Sequence, residues 1–138
     1  MRFIDTNVFI YAVLKPTREL KEHEQRLKSA SKAIFKRVND GEEVVTTVVH
    51  LSEVANLMED AANLTFSISF VKDILLKRNV HVEQVSDTDY IESVVLAEEK
   101  RVSINDALAY LIMKREMIEE IYTFDKHFDT LNVIVVGR

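Results

Sequence analysis

Short β-branched segments alternate with stretches whose apolar residues recur every three or four positions, and this alternation runs the length of the chain. It limits the possible folds more than any other feature. Parallel strands need a long crossover between them, usually a helix. Strand–helix alternation therefore implies a mostly parallel sheet with helices on both faces. Arg2-Phe3-Ile4-Asp5 reads as the opening strand, Val44 to Thr47 as a buried one, and Val80 to Val85, Ile121 to Thr123 and Val133 to Val136 as the remainder. Helical stripes lie between them. Asn7 to Leu14 is stopped by Pro16, and Leu20, Leu27, Ala30, Ile34 and Val38 share one face of a helix that ends at Asp40-Gly41. Leu51, Val54, Ala55, Met58 and Ala62 form the next stripe, and Phe66, Phe70, Val71, Ile74 and Leu75 another. Ser86 opens a helix with a capping box, its inner face expected at Ile91, Val94 and Val95. Ser103 opens the next, with Ile104, Ala107, Leu108 and Leu111 expected inward.

At 138 residues the chain is expected to be a single domain spanning 1–138. No apolar run reaches the ~20 residues that cross a bilayer, and the N-terminus has no signal-peptide pattern. With no cysteine, disulfides and thiolate ligands are excluded, which fits a cytoplasmic location. The net charge is −5, whereas nucleic-acid binders are usually basic. Only Gly41 and Gly137 are available, so no phosphate-cradling glycine loop can form. The four histidines show no zinc-binding spacing, and His127, two positions from Asp125, is expected on a different face of a short helix.

Four acids fall at strand ends or helix starts: Asp5, Glu53, Asp106 and Asp125. Each has a structural use. Asp5 and Asp125 suit helix caps, Asp106 stands at a capping-box distance from Ser103, and Glu53 suits a solvated helix face. In an open α/β sheet, however, ligands bind beyond the carboxyl ends of the strands. Carboxylates converging there repel unless a cation separates them. Hard cations such as Mg²⁺ and Mn²⁺ take oxygen ligands, and two such ions can serve in-line phosphoryl displacement.

The order of these motifs resembles the PIN-domain ribonucleases, and in particular their small stand-alone, VapC-type toxin-like members. The matching parts are Asp5-Thr6-Asn7 after the first strand, helix-borne Glu53, Asp106-Ala107-Leu108, and Thr123-x-Asp125-x-x-Phe128. The resemblance implies a three-layer α/β/α sandwich with a mostly parallel central sheet. It implies a Mg²⁺- or Mn²⁺-dependent endoribonuclease with Asp5, Glu53, Asp106 and Asp125 as metal-binding and catalytic residues. Asn7 and Thr123 would be polar supports, with Asp129 at the rim. It also implies an RNA substrate, a small antitoxin partner and a homodimer. The Met58, Ala62, Leu64 and Phe66 stretch would serve either as plain core or as part of a groove for that partner. Lys15, Arg18, Arg101 and Lys126 are candidate contacts to an RNA backbone. Two other readings fit the residues. One is an aspartate-nucleophile phosphohydrolase using Asp5, though Asn7 departs from that class's Asp-x-Asp. The other is a non-catalytic partner-binding module.

Overall fold

The computed structural model describes residues 1–138. Five parallel strands form one sheet: β1 (Arg2–Ile4), β2 (Val44–Thr47), β3 (Val80–Glu83), β4 (Glu120–Tyr122) and β5 (Ile134–Val136). Their order across the sheet is β3-β2-β1-β4-β5. Six helices accompany them: α1 (Thr6–Val13), α2 (Glu22–Asn39), α3 (Val48–Ala61), α4 (Leu64–Leu76), α5 (Asp87–Lys100) and α6 (Ile104–Arg115). Lys126–Thr130 makes a 3₁₀ turn between β4 and β5. The all-parallel sheet between helical layers is the expected α/β/α arrangement. No helix is long and apolar enough to cross a membrane.

Two cores sit on opposite faces of the sheet, as the period-two alternation of strand side chains demands. Ile4, Val44 and Tyr122 point into one, with Val8, Phe9, Ile34, Val38, Leu51, Val54, Met58 and Ile74 from α1 to α4. Phe3, Val45 and Ile121 point into the other, with Leu108, Ala109, Ile112 and Met113 of α6 and with Phe128 and Leu131. The sheet is thus apolar on both sides, which is why its strands read as continuous β-branched runs.

Three expectations about helix faces are corrected. On α5 the apolar set Ile91, Val94 and Val95 faces outward, Ile91 being 62% and Val95 61% exposed, and the buried positions are Ser93 and Ala97. Small residues let α5 approach α6 closely, and Ser93 satisfies its hydroxyl on the Asp89 carbonyl at 2.8 Å. On α6, Ala107 and Leu108 are buried as expected but Ile104 is exposed. On α4 only Ser67 and Ile74 are buried, while Leu64, Ile68, Leu75 and Leu76 are exposed. The partner-groove stretch divides accordingly. Met58 is core, and Ala62, Leu64 and Phe66 lie at the surface.

Candidate active site

The chain leaves β1 toward β2 and β3 on one side of the sheet, and returns to β4 and β5 on the other. The carboxyl ends of β1 and β4 therefore flank the point where strand order reverses, the usual place for a ligand crevice. Asp5 follows β1 directly, and its N–H donates to the Tyr122 carbonyl of β4 at 3.0 Å. Thr123 and Asp125 follow β4. A cavity of about 390 Å³ opens here, and its lining includes Asp5, Asn7, Glu53, Asn105, Asp106 and Asp125.

Each acid is set by local structure. Asp5 caps α1: one carboxylate oxygen accepts from the Thr6 N–H at 2.8 Å, and the other from the Thr123 hydroxyl at 2.7 Å. The Thr123 oxygen in turn accepts from the Asp125 N–H at 3.1 Å, tying the two acids together. Glu53 stands in the second turn of α3, where its Oε2 accepts from the Thr6 hydroxyl at 3.2 Å and from the Asn105 amide at 2.7 Å. Thr6 thus bridges Asp5 and Glu53. Asp106 lies in the first turn of α6, which Ser103 caps by accepting from the Asp106 N–H at 3.1 Å. Asp125 caps the 3₁₀ turn, accepting from the His127 N–H at 2.9 Å. Asp5 and Asp125 therefore cap and line the cavity at once, while Glu53 and Asp106 line it from within their helices.

His127 is a correction to the sequence reading. Its Nδ1 lies 2.7 Å from Asp106 Oδ2 and 3.4 Å from Asp125 Oδ1. Asp125 is the cap rather than a helical residue, so the rule separating side chains two positions apart does not govern the pair. Asp106, Asp125 and His127 each place one ligand atom within 4.8 Å of the others. Asn7 lines the cavity, and its Oδ1 accepts from the Phe124 N–H at 3.4 Å. Asp129 instead pairs with Arg138 and is absent from the cavity lining. Arg18 pairs with Glu24 at 2.8 Å, and neither it nor Lys15, Arg101 or Lys126 lines the cavity.

The electrostatics follow from crowding and burial. Burial pushes the Asp5 carboxyl up to about 6; Thr123 and Thr6 oppose the shift, and the charges of Glu53 and Asp125 add to it. Asp106 is likewise pushed up to about 6, chiefly by burial and then by Asp5 and Asp125, against the His127 hydrogen bond. That same bond raises His127. No lysine or arginine pairs with any of the four acids. A divalent ion suits this site: the donors are mostly carboxylate oxygens, burial and like charge push two of them up, and the cavity reaches them from solvent.

Behind the site, His50 is fully buried and joins the helices that carry Glu53 and Asp106. Its Nε2 contacts the Asn105 carbonyl at 3.0 Å, and its Nδ1 the Thr47 hydroxyl at 2.7 Å. A carbonyl only accepts, so Nε2 carries the proton and Nδ1 accepts from Thr47. Burial holds this imidazole down to about 4, hence neutral.

The fold and site define an α/β sandwich with a carboxylate-lined crevice at the reversal of strand order. The chain belongs to the PIN domain family, whose model matches residues 2–133. No curated protein sequence matches it significantly. Among solved structures, Mycobacterium tuberculosis VapC20, described as a Sarcin-Ricin loop cleaving toxin, is similar with a TM-score of 0.77 at 20% identity, over 100% of both chains. A toxin–antitoxin complex from Klebsiella pneumoniae is similar with a TM-score of 0.65 at 14% identity, over 100% of this chain and 98% of that one. VapBC2 from Rickettsia felis, bound to a DNA fragment from its promoter, is similar with a TM-score of 0.63 at 16% identity, over 98% and 96%. At these identities the likeness establishes the fold.

Proposed function

We propose that the protein is a Mg²⁺- or Mn²⁺-dependent endoribonuclease, acting as one domain over residues 1–138 in the cytoplasm, and the toxin of a toxin–antitoxin pair. The observation that carries the reading is the convergence of Asp5, Glu53, Asp106 and Asp125 on one cavity with no lysine or arginine among them. These four would hold the cation, which when bound supplies an activated water and offsets charge on the phosphate oxygens. The chain's own groups do the rest. Thr123 orients Asp5, Thr6 and Asn105 orient Glu53, and Asn7 supports the Phe124–Asp125 segment.

Similar structures described as toxins or toxin–antitoxin complexes favour the toxin role, an RNA substrate and an antitoxin partner. The exposed apolar side chains Leu64, Ile68, Leu75 and Leu76 on α4 favour a protein partner, either an antitoxin or a second copy in a homodimer. An aspartate-nucleophile reaction is disfavoured, because Asn7 stands where that class carries the second acid of its Asp-x-Asp pair.

The test is cleavage of a mixed RNA substrate by pure protein. Cleavage should require Mg²⁺ or Mn²⁺, stop with a chelator, and vanish in Asp5→Asn. Metal-independent cleavage, or full activity in Asp5→Asn, overturns the reading. Inactivity of folded protein that still binds an antitoxin would favour the partner-binding module instead.

A further inference from the structure

We propose that His127 is a nitrogen ligand of the cation in this cleft, and that it biases the site toward first-row transition-metal ions over Mg²⁺. The inference rests on the metal-site reading above and deepens it. Neither the motif pattern nor the ordered set of acids contains this residue. The geometry supplies it.

In an octahedral site with metal–ligand bonds of about 2.1 Å, neighbouring ligand atoms lie about 3 Å apart. His127 Nδ1 stands 2.7 Å from Asp106 Oδ2 and 3.4 Å from Asp125 Oδ1. All three ligand atoms fall within 4.8 Å. The two Nδ1 separations suit adjacent donors on a single ion, once the Nδ1 proton that bonds Asp106 is released to solvent as the ion binds. The backbone holds His127 in place from both directions. Its N–H donates to Asp125 at 2.9 Å, and its carbonyl accepts from the Thr130 hydroxyl at 2.8 Å. Only the side-chain torsions remain to be set, and the Asp106 contact sets them. The ring stands outside the residues that line the cavity, at its edge beside Asp106 and Asp125, and is half-exposed, so an ion can reach it without unpacking the core.

The chemistry gives the consequence. Mg²⁺ demands oxygen ligands and sheds water reluctantly. Imidazole suits the later first-row ions, and a mixed nitrogen–oxygen set follows the rising order from Mn²⁺ to Cu²⁺. A cleft of carboxylates alone would leave Mg²⁺ at less disadvantage. A competing role for His127 is that of a hydrogen-bond donor that only steadies Asp106. The two roles differ in one observable, whether nitrogen touches the metal.

Pulsed electron paramagnetic resonance of the Mn²⁺-loaded full chain reads that directly. We expect a directly coordinated ¹⁴N coupling in the native protein, changed to the ¹⁵N pattern by [¹⁵N]histidine labelling and lost in His127→Ala. Calorimetric titration should show Mn²⁺ affinity falling roughly 10–100-fold in His127→Ala, the range seen when groups around a metal are removed, with Mg²⁺ affinity changed less. Bound Mn²⁺ without nitrogen coupling overturns this inference alone, as does coupling that persists in His127→Ala. Failure of the native protein to bind either ion overturns the metal-site reading as well. The labelling arm shows whether any histidine touches the metal, and His127→Gln makes the assignment if His127→Ala fails to fold.

Discussion

The two ends of the central sheet both gather carboxylates, and they neutralise them in opposite ways. At the amino end of β1, Arg2 reaches Glu120 at 2.5 Å and Glu42 at 2.7 Å, and donates to the Tyr122 hydroxyl at 2.8 Å. Arg37 adds a second cation 3.6 Å from Glu42. At the carboxyl end of the same strand, Asp5 and its three acidic neighbours receive hydrogen bonds from Thr6, Thr123, Asn105 and His127. Hydroxyls and an amide hold Asp5 and Glu53 in place without cancelling their charge; only Asp106 and Asp125 have a titratable base beside them, His127, which the Asp106 bond raises. The difference separates a cluster neutralised by arginine from one that pairs with no arginine or lysine. At the amino end the chain supplies arginine; in the cleft it supplies none, and burial leaves Asp5 and Asp106 pushed up to about 6.

The largest test of that contrast is removal of a cleft carboxylate. Asp5→Asn or Asp106→Asn should lower metal-dependent RNA cleavage on the order of a hundredfold or more, as loss of a metal-site group does. The same variants should melt higher than the native protein without metal at pH 7.5, because each deletes a buried, repelled charge. Scanning calorimetry beside the cleavage assay checks both. A lower melting temperature in Asp5→Asn would mean that the charge is already compensated, and the contrast would fail.

At the other end of the sheet the sign reverses. Arg2→Met strands Glu42 and Glu120, and should cost about 1–2 kcal/mol, a modest figure because the Arg2 side chain is 35% exposed. In a domain of this size that is roughly 3–10 °C in melting temperature. Cleavage at permissive temperature should be unchanged.

A pH series sharpens the comparison further. Asp5 and Asp106 have folded values above the unfolded one of 3.8. The folded state therefore binds more protons between pH about 4 and 6, and stability falls as pH rises through that window. His50 works the other way. Its folded value of about 4 lies below 6.5, so its contribution is present above pH 6.5 and is lost as pH falls toward 4. The opposing slopes partly cancel in the native protein. Asp5→Asn should therefore show a steeper rise of melting temperature from pH 4 to 6.5. Added Mn²⁺ should stabilise the native protein more at pH 7.5 than at pH 5, where protons compete for the same carboxylates.

The smallest effect is expected at Asn105→Ala. It removes the 2.7 Å amide bond to Glu53 but leaves Thr6 in place. Cleavage should drop several-fold, with stability shifted by about 1 kcal/mol or less. A loss as large as that of Asp5→Asn would mean that Asn105 itself belongs to the reacting set.

Much of this was legible before the fold was known, and the parts that were share a cause. Strand and helix periodicity is local, so the alternation and the placement of Asp5 and Asp125 at strand ends could be read directly. Capping is local too: Ser86 and Asp89 form the reciprocal box, and Ser103 caps α6. The parts that were not legible depend on contacts between distant segments. Asn105 could be read as an amide near the site from its place beside Asp106, but its partner Glu53 lies 52 positions away and Thr6 meets Glu53 across 47, and no spacing rule spans such gaps. His127 meets Asp106 and Asp125 because a capped 3₁₀ turn does not follow the spacing of an α-helix. On α5, apolar Ile91 and Val95 marked the wrong face, since the inward positions went to Ser93 and Ala97. The chain's own order of residues determined the layers, the strand ends and which acids stood at them. Only the tertiary structure decided which neutral donors hold those acids, that a histidine joins them and that no arginine does, because side chains far apart in sequence choose their partners only once the sheet has brought them together.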